Sequence, residues 1–131
     1  MRSKPKPVTE VFVQLPLPPS TNVMWRAVPY SGHCRVIVSR EGRAFRDECA
    51  PIMAEYRGPF QSDVSVEATF FFKDRRSDLD NRIKALLDVL EVTVLGFGLV
   101  QNDRQVTELH CYKKIDPQKP RVEVRVREVA L

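Results

Sequence analysis

The chain has 131 residues, 43% of them hydrophobic and 29% charged, with a formal net charge of +4. That is one domain's worth, enough to bury roughly two-thirds of its extended-chain surface, and the balance excludes a disordered chain. No apolar run approaches the ~20 residues a bilayer span needs, and no apolar stretch follows the basic start MRSKPKPV, so a soluble, non-exported protein with no membrane partner is expected.

Residues 1–7 mix lysine and proline with little to bury and read as a flexible basic arm ahead of a single domain over 8–131. Residues 8–15 read as a strand, stopped by Pro16, Pro18 and Pro19, which cannot donate to a sheet ladder. Residues 20–30 read as an irregular loop carrying Trp25 and Arg26, and 35–39 as a short strand. From Glu41 the apolar positions Phe45, Cys49, Ile52, Met53 and Tyr56 recur at helical spacing up to Gly58-Pro59, with Pro51 expected to kink or divide the helix.

Val64, Val66, Ala68, Phe70 and Phe72 alternate with Ser65, Glu67, Thr69, Phe71 and Lys73, the signature of a half-buried strand. The next helix, from about Asp80 to Val94, places Ile83, Leu86, Leu87, Leu90 and Val94 on one stripe. Gly96, Gly98 and Asn102-Asp103 form a loop, and two strands over 105–115 and 121–129 close the chain around Asp116-Pro117. The fold class expected is α+β: a single domain with a mixed or antiparallel sheet and two principal helices.

Through Arg46 there are eight basic residues against Glu10 and Glu41 alone, which points to a polyanionic partner. The three cysteines, Cys34, Cys49 and Cys111, show no CxxC spacing and fit a reduced, cytoplasmic setting. Each His-Cys dipeptide, at 33–34 and 110–111, would send its side chains to opposite faces of a strand, which argues against zinc.

The segment RRSDLDNRIKALLDVL, 75–90, raises the chemical question. Asp80 stands where a helix N-cap belongs, but capping leaves Asp78 unexplained. In extended backbone, residues i and i+2 project to one side, so both carboxylates aim at one spot and call for a cation. Lys84 lies about 40° from Asp80 around the helix, outside the apolar stripe; an ion pair with Asp80 or Asp88 is its bland role. Asp103 precedes the strand over 105–115, and an antiparallel pairing with the strand over 64–72 would bring it near Asp78. Turn chemistry is the alternative for Asn102-Asp103. Oxygen donors without histidine suit Mg²⁺ with phosphate, and the basic first third makes DNA the natural substrate. Arg75, Arg76 and Arg82 beside the acids, then Arg26, Arg40 and Arg43, are the candidate phosphate contacts. A lone Trp25 packs more often than it stacks on bases.

Four stretches in order, LPLPPSTN at 15–22, VSREGRAFRD at 38–47, RRSDLDNRIKALLDVL and GFGLVQNDRQV at 96–106, resemble the RusA family of Holliday junction resolvases. The resemblance implies a small homodimeric α+β nuclease, often phage or prophage encoded, that cuts two opposed strands of four-way junction DNA with Mg²⁺, or Mn²⁺ in its place. By the same resemblance Asp78, Asp80 and Asp103 hold the metal and Lys84 is catalytic. The chain departs from the family in a longer 80–103 segment and in Asn102, where a second acid is common. Two rivals stand beside this: a non-catalytic, structure-specific DNA-binding protein of the same fold, and a nucleotide-sugar transferase, for which the chain looks too short and lacks the βαβ units and glycine-rich turn of a donor domain.

Overall fold

The computed structural model describes residues 9–56 and 58–129; the arm expected at 1–7 lies outside the described residues. In chain order the elements are β1 (Glu10–Leu15), α1 (Thr21–Met24), β2 (Trp25–Tyr30), β3 (His33–Val38), α2 (Arg40–Met53), β4 (Val64–Phe72), α3 (Ile83–Leu90), α4 (Val92–Leu95), β5 (Val106–Ile115) and β6 (Arg121–Glu128), with single 3₁₀ turns at Asp80–Arg82 and Asp103–Gln105. The chain is a single α+β domain on a mixed sheet, as expected.

Period-two alternation builds that sheet, in the order β1-β6-β4-β5. β6 lies antiparallel between β1 and β4, giving apolar rows Val11–Val126–Val66, Val13–Val124–Ala68 and Leu15–Val122–Phe70 across three strands. These rows form one core with Phe45, Cys49 and Met53 of α2 and Ala85, Leu86, Val89 and Leu90 of α3. Each fully buried large side chain there contributes about 1.5–3 kcal/mol. The opposite face carries Phe12, Glu67 and Arg125 in solvent.

The structure corrects four expectations. Residues 20–30 are not irregular: they form α1 and β2, which pairs with β3 as a separate two-stranded hairpin. Its residues are mostly exposed on both faces, so no alternation marks it. Pro51 does not divide α2, because it sits in the last turn, where the helix is about to end at Met53. The stripe over 80–94 is not one helix. Glu91 is extended and bridges to Val100, while the amides of Leu99 and Val100 both donate to the Leu90 carbonyl at 2.9 and 3.1 Å. A methyl at Gly98 would meet that carbonyl at 2.6 Å, so glycine permits the close return that ends α3.

The fourth correction concerns direction. β5 pairs with β4 in parallel, Val66 beside Leu109 and Phe72 beside Ile115. The cue is in the chain order: a strand, a helical crossover and a strand form a βαβ unit, whose strands run parallel.

Ser39 caps α2, its hydroxyl accepting from the Gly42 amide at 3.0 Å and donating to the Met24 carbonyl at 3.0 Å. A methyl at Gly42 would lie 2.5 Å from the Met24 oxygen and 2.8 Å from Val38 Cγ1. Gly42→Ala is therefore expected to lower stability by about 1–3 kcal/mol, read as an unfolding midpoint in urea; an unchanged midpoint would contradict this packing.

The cysteines differ in reactivity for a physical reason. Burial, and secondarily Glu48, pushes the Cys49 thiol up to about 12, whereas Cys34 is exposed. In the native protein at mildly alkaline pH, a thiol reagent should label Cys34 first and Cys49 only on unfolding.

Candidate active site

The acid pair lies in the connection from β4 to α3, and that connection is pinned from both sides. Lys113 of β5 donates through Nζ to the carbonyls of Arg75, at 3.0 Å, and Ser77. Arg82 donates through Nη1 to the Pro18 carbonyl at 2.6 Å and through Nη2 to Ser77 Oγ at 3.5 Å. Both cations sit 5.5 Å from the centre of the Phe72 ring. Asp74 accepts from the Arg76 amide at 2.9 Å, closing a turn, and the hydroxyl of Thr21 donates to the Asn81 carbonyl at 2.9 Å.

On this braced loop Asp78 and Asp80 are exposed. Among the described residues neither carboxylate takes part in a hydrogen bond or ion pair. The capping role considered for Asp80 is not realised: Leu79 stands at the N-cap, and Asp80 opens the 3₁₀ turn with no side-chain cap bond. The fold braces the backbone and leaves the oxygens free.

Lys84 is 65% exposed, 3.8 Å from Asp88 and 5.4 Å above the Trp25 ring. Its partner is thus Asp88 rather than Asp80, and Trp25 is a packing platform for the ammonium. Asp88 also lies 4.0 Å from Arg46 and is only 18% exposed. Burial lifts its carboxyl above the ordinary carboxylate range, against the pull of Lys84 and Arg46, with Glu91 and Asp103 adding to the rise. The acid therefore holds two cations in place at an electrostatic cost.

Asp103 stands elsewhere. The parallel register puts its turn beside the start of β4, whereas Asp78 and Asp80 follow the end of that strand. The Asp103 amide donates to Glu91 Oε1 at 3.0 Å. Turn chemistry accounts for Asn102, which accepts from the Arg104 amide at 2.9 Å in a capping box with Gln105. It does not engage the exposed Asp103 carboxylate. Among the described residues no three His, Cys, Asp or Glu side chains are grouped to hold an ion. The Asp78 and Asp80 oxygens are free on the loop, and no third acid is grouped with them among the described residues.

The candidate DNA contacts divide by environment. Arg75 lines an open groove of about 380 Å³ with Lys113 and Ile115. Arg76, Arg26, Arg40 and Arg43 are exposed, with Arg76 3.6 Å from Asp74 and Arg43 donating to the Val38 carbonyl at 3.0 Å. Arg82 is engaged within the loop, and burial lowers its pKa. Lys113 and Arg46 were not legible as site residues, since each acts from another element; Asp88 was legible only as the i, i+4 partner of Lys84.

The family model described as endodeoxyribonuclease RusA matches residues 16–127, a span holding both free aspartates, Lys84 and Asp103. The chain belongs to the RusA family. It is similar to the crossover junction endodeoxyribonuclease RusA of Escherichia coli (strain K12), 34% identical over 120 residues, covering 89% of this chain and 93% of the relative. It is also 35% identical over 79 residues to the crossover junction endodeoxyribonuclease RusA of Aquifex aeolicus, covering 56% of this chain and 60% of that protein.

Proposed function

We propose that this RusA-family endodeoxyribonuclease resolves four-way DNA junctions with Mg²⁺ as a homodimer, one cut in each of two opposed strands. The relatives are named as crossover junction endodeoxyribonucleases, and that substrate is carried over here. The observation that carries the reading is the pair of exposed, unengaged carboxylates at Asp78 and Asp80 on an otherwise pinned loop. A cap or a structural ion pair would have used those oxygens.

Two carboxylates suit Mg²⁺, which completes its octahedron with water and phosphate, and Mn²⁺ accepts the same donors. When bound, such an ion polarises a phosphodiester and lowers the pKa of a bound water. Asp78 and Asp80 hold the cation on the loop. Lys84, steadied by Trp25 and Asp88, offsets negative charge gathering on the phosphate. Asp88 and Arg82 are positioning residues, one for Lys84 and one for the loop. Arg75, Arg76, Arg26, Arg40 and Arg43 meet the DNA backbone.

Cuts related by the approximate twofold of a junction call for two sites related the same way, which a C2 dimer supplies. A cytoplasmic setting fits the unpaired thiols, and no helix among the described residues is long and apolar enough to cross a membrane.

Synthetic four-way junctions and linear duplex, each with and without Mg²⁺, test the proposal. Paired nicks on the junction that require the ion are expected. Junction binding with no cleavage in either Mg²⁺ or Mn²⁺ would favour the non-catalytic binder.

A further inference from the structure

No aspartate or glutamate lies between Glu10 and Glu41, and the middle of that stretch is the β2–β3 hairpin. Its root is clamped beside the candidate active site. Trp25, the first residue of β2, lies under the Lys84 ammonium, and Thr21 just upstream donates to the Asn81 carbonyl. At the other end of the hairpin the Ser39 amide and hydroxyl both donate to the Met24 carbonyl, at 2.9 and 3.0 Å. Among the described residues only Trp25 and Val38 of the hairpin pack against the core. Beyond them the strands run to a two-residue turn at Ser31 and Gly32, both left-handed with φ of 43° and 79°. Five steps of strand put the tip about 17 Å from Trp25.

Register sorts the side chains of this ribbon. Arg26, Val28 and Tyr30 stand opposite Ile37, Arg35 and His33 on one face; Trp25, Ala27 and Pro29 stand opposite Val38, Val36 and Cys34 on the other. The first face is cationic and aromatic, with Arg35 5.7 Å from the centre of the Tyr30 ring. The second is apolar, yet Ala27, Pro29, Cys34 and Val36 are all exposed, Val36 by 66%. Two exposed faces of such different chemistry suit a ligand that offers phosphates to one and apolar surface to the other. DNA offers both, and the missing acids remove the repulsion it would meet.

We propose that the β2–β3 hairpin enters the crossing point of a four-way junction. Arg26, Arg35 and the Tyr30 hydroxyl grip backbone phosphates, while Ala27, Pro29 and Val36 cover the base pairs that end at the crossing and keep them from stacking across it. The proposal deepens the junction-nuclease reading and rests on it for the substrate. A linear duplex stacks every base pair on the next and presents only edges; where four arms part, the faces of the last pairs are open to an apolar side chain. The Val36 face is the one that carries Trp25 at its root, so it continues from Lys84 toward the tip. A duplex seated at Lys84 would leave that face in water. The hairpin thereby makes branching the feature selected.

The test uses the full-length protein with a synthetic four-way junction carrying 2-aminopurine beside the crossing, and with a linear duplex. Ca²⁺ replaces Mg²⁺, so that the free junction stays stacked while cutting is suppressed. Wild type should bind the junction with a rise in 2-aminopurine fluorescence, the mark of a base taken out of its stack. Val36→Ser should lose that rise and bind the junction about tenfold more weakly, with duplex binding unchanged. Val36→Ile should keep both. Arg35→Ala should weaken junction and duplex alike and reduce the slope of log affinity against log salt by about one. Both positions are exposed, so melting temperatures should stay at the wild-type value. Wild-type fluorescence and junction affinity in Val36→Ser, or an equal loss on the duplex, overturns the hairpin assignment and leaves the nuclease reading standing. A rise that Val36→Ser abolishes, in a protein that nicks no junction once Mg²⁺ is added, supports the hairpin and sinks the nuclease reading.

Discussion

Asp78→Asn and Asp80→Asn should each cut the rate of junction cleavage by about a thousandfold or more, while junction binding stays within about threefold. Asparagine keeps the size and one oxygen of the carboxylate but removes the charge that opposes a divalent cation. Because no hydrogen bond or ion pair among the described residues uses either side chain, the substitutions should leave folding nearly unchanged. The measurement pairs single-turnover cleavage with a gel-shift assay and a melting curve on each variant. Undiminished cleavage by Asp78→Asn would remove the pair from the chemistry. Lost cleavage with an equally large loss of melting temperature would instead assign it to the fold. Lys84→Ala belongs in the same series: its loss should lower cleavage without abolishing metal binding, since the ammonium is held by Asp88 and Trp25 rather than by the acid pair.

The second large effect is expected from Phe72→Ala, at about 3–5 kcal/mol of stability, or a melting temperature lower by roughly 10–20 °C. Phe72 is fully buried, stacks on Phe70 with ring centres 6.3 Å apart, and lies 5.5 Å from both Arg82 and Lys113. Truncation opens a cavity at the end of β4, where the site loop begins. It also removes the surface on which two loop-bracing cations rest, so cleavage measured well below the melting transition should fall as well. Phe71→Ala is the contrast. That ring is half-buried and covered by Arg121 at 3.8 Å, so its loss should cost about 1–2 kcal/mol and leave the loop braced. Equal effects from the two would contradict the bracing role assigned to Phe72.

Much of this molecule is written locally. The alternation from Val64 to Phe72 matches the observed strand end to end, and Val122, Val124 and Val126 form the central rows of the sheet. Of the stripe from Ile83 to Leu90, Leu86 and Leu90 are buried while Ile83 and Leu87 are half-buried, and Ala85 and Val89 complete the buried face; Asp78 and Asp80 stand at the approach to that helix as a free pair. Where reading failed, the deciding partner was distant. Glu91 leaves the helix because Leu99 and Val100 return to claim the Leu90 carbonyl. The β2–β3 hairpin carries no alternation because neither face is deeply buried.

By itself the sequence determined which strand residues face the core and which acids stand together at the β4–α3 connection, since side-chain period and residue type are properties of neighbours along the chain. Chain order carries the cue to the parallel direction of β5, but tertiary structure alone decided which strands are neighbours, and with that the place of Asp103. A period of two names a face but not a partner, so β6 could enter beside β4 and leave β5 parallel at the edge, carrying Asp103 away from Asp78 and Asp80.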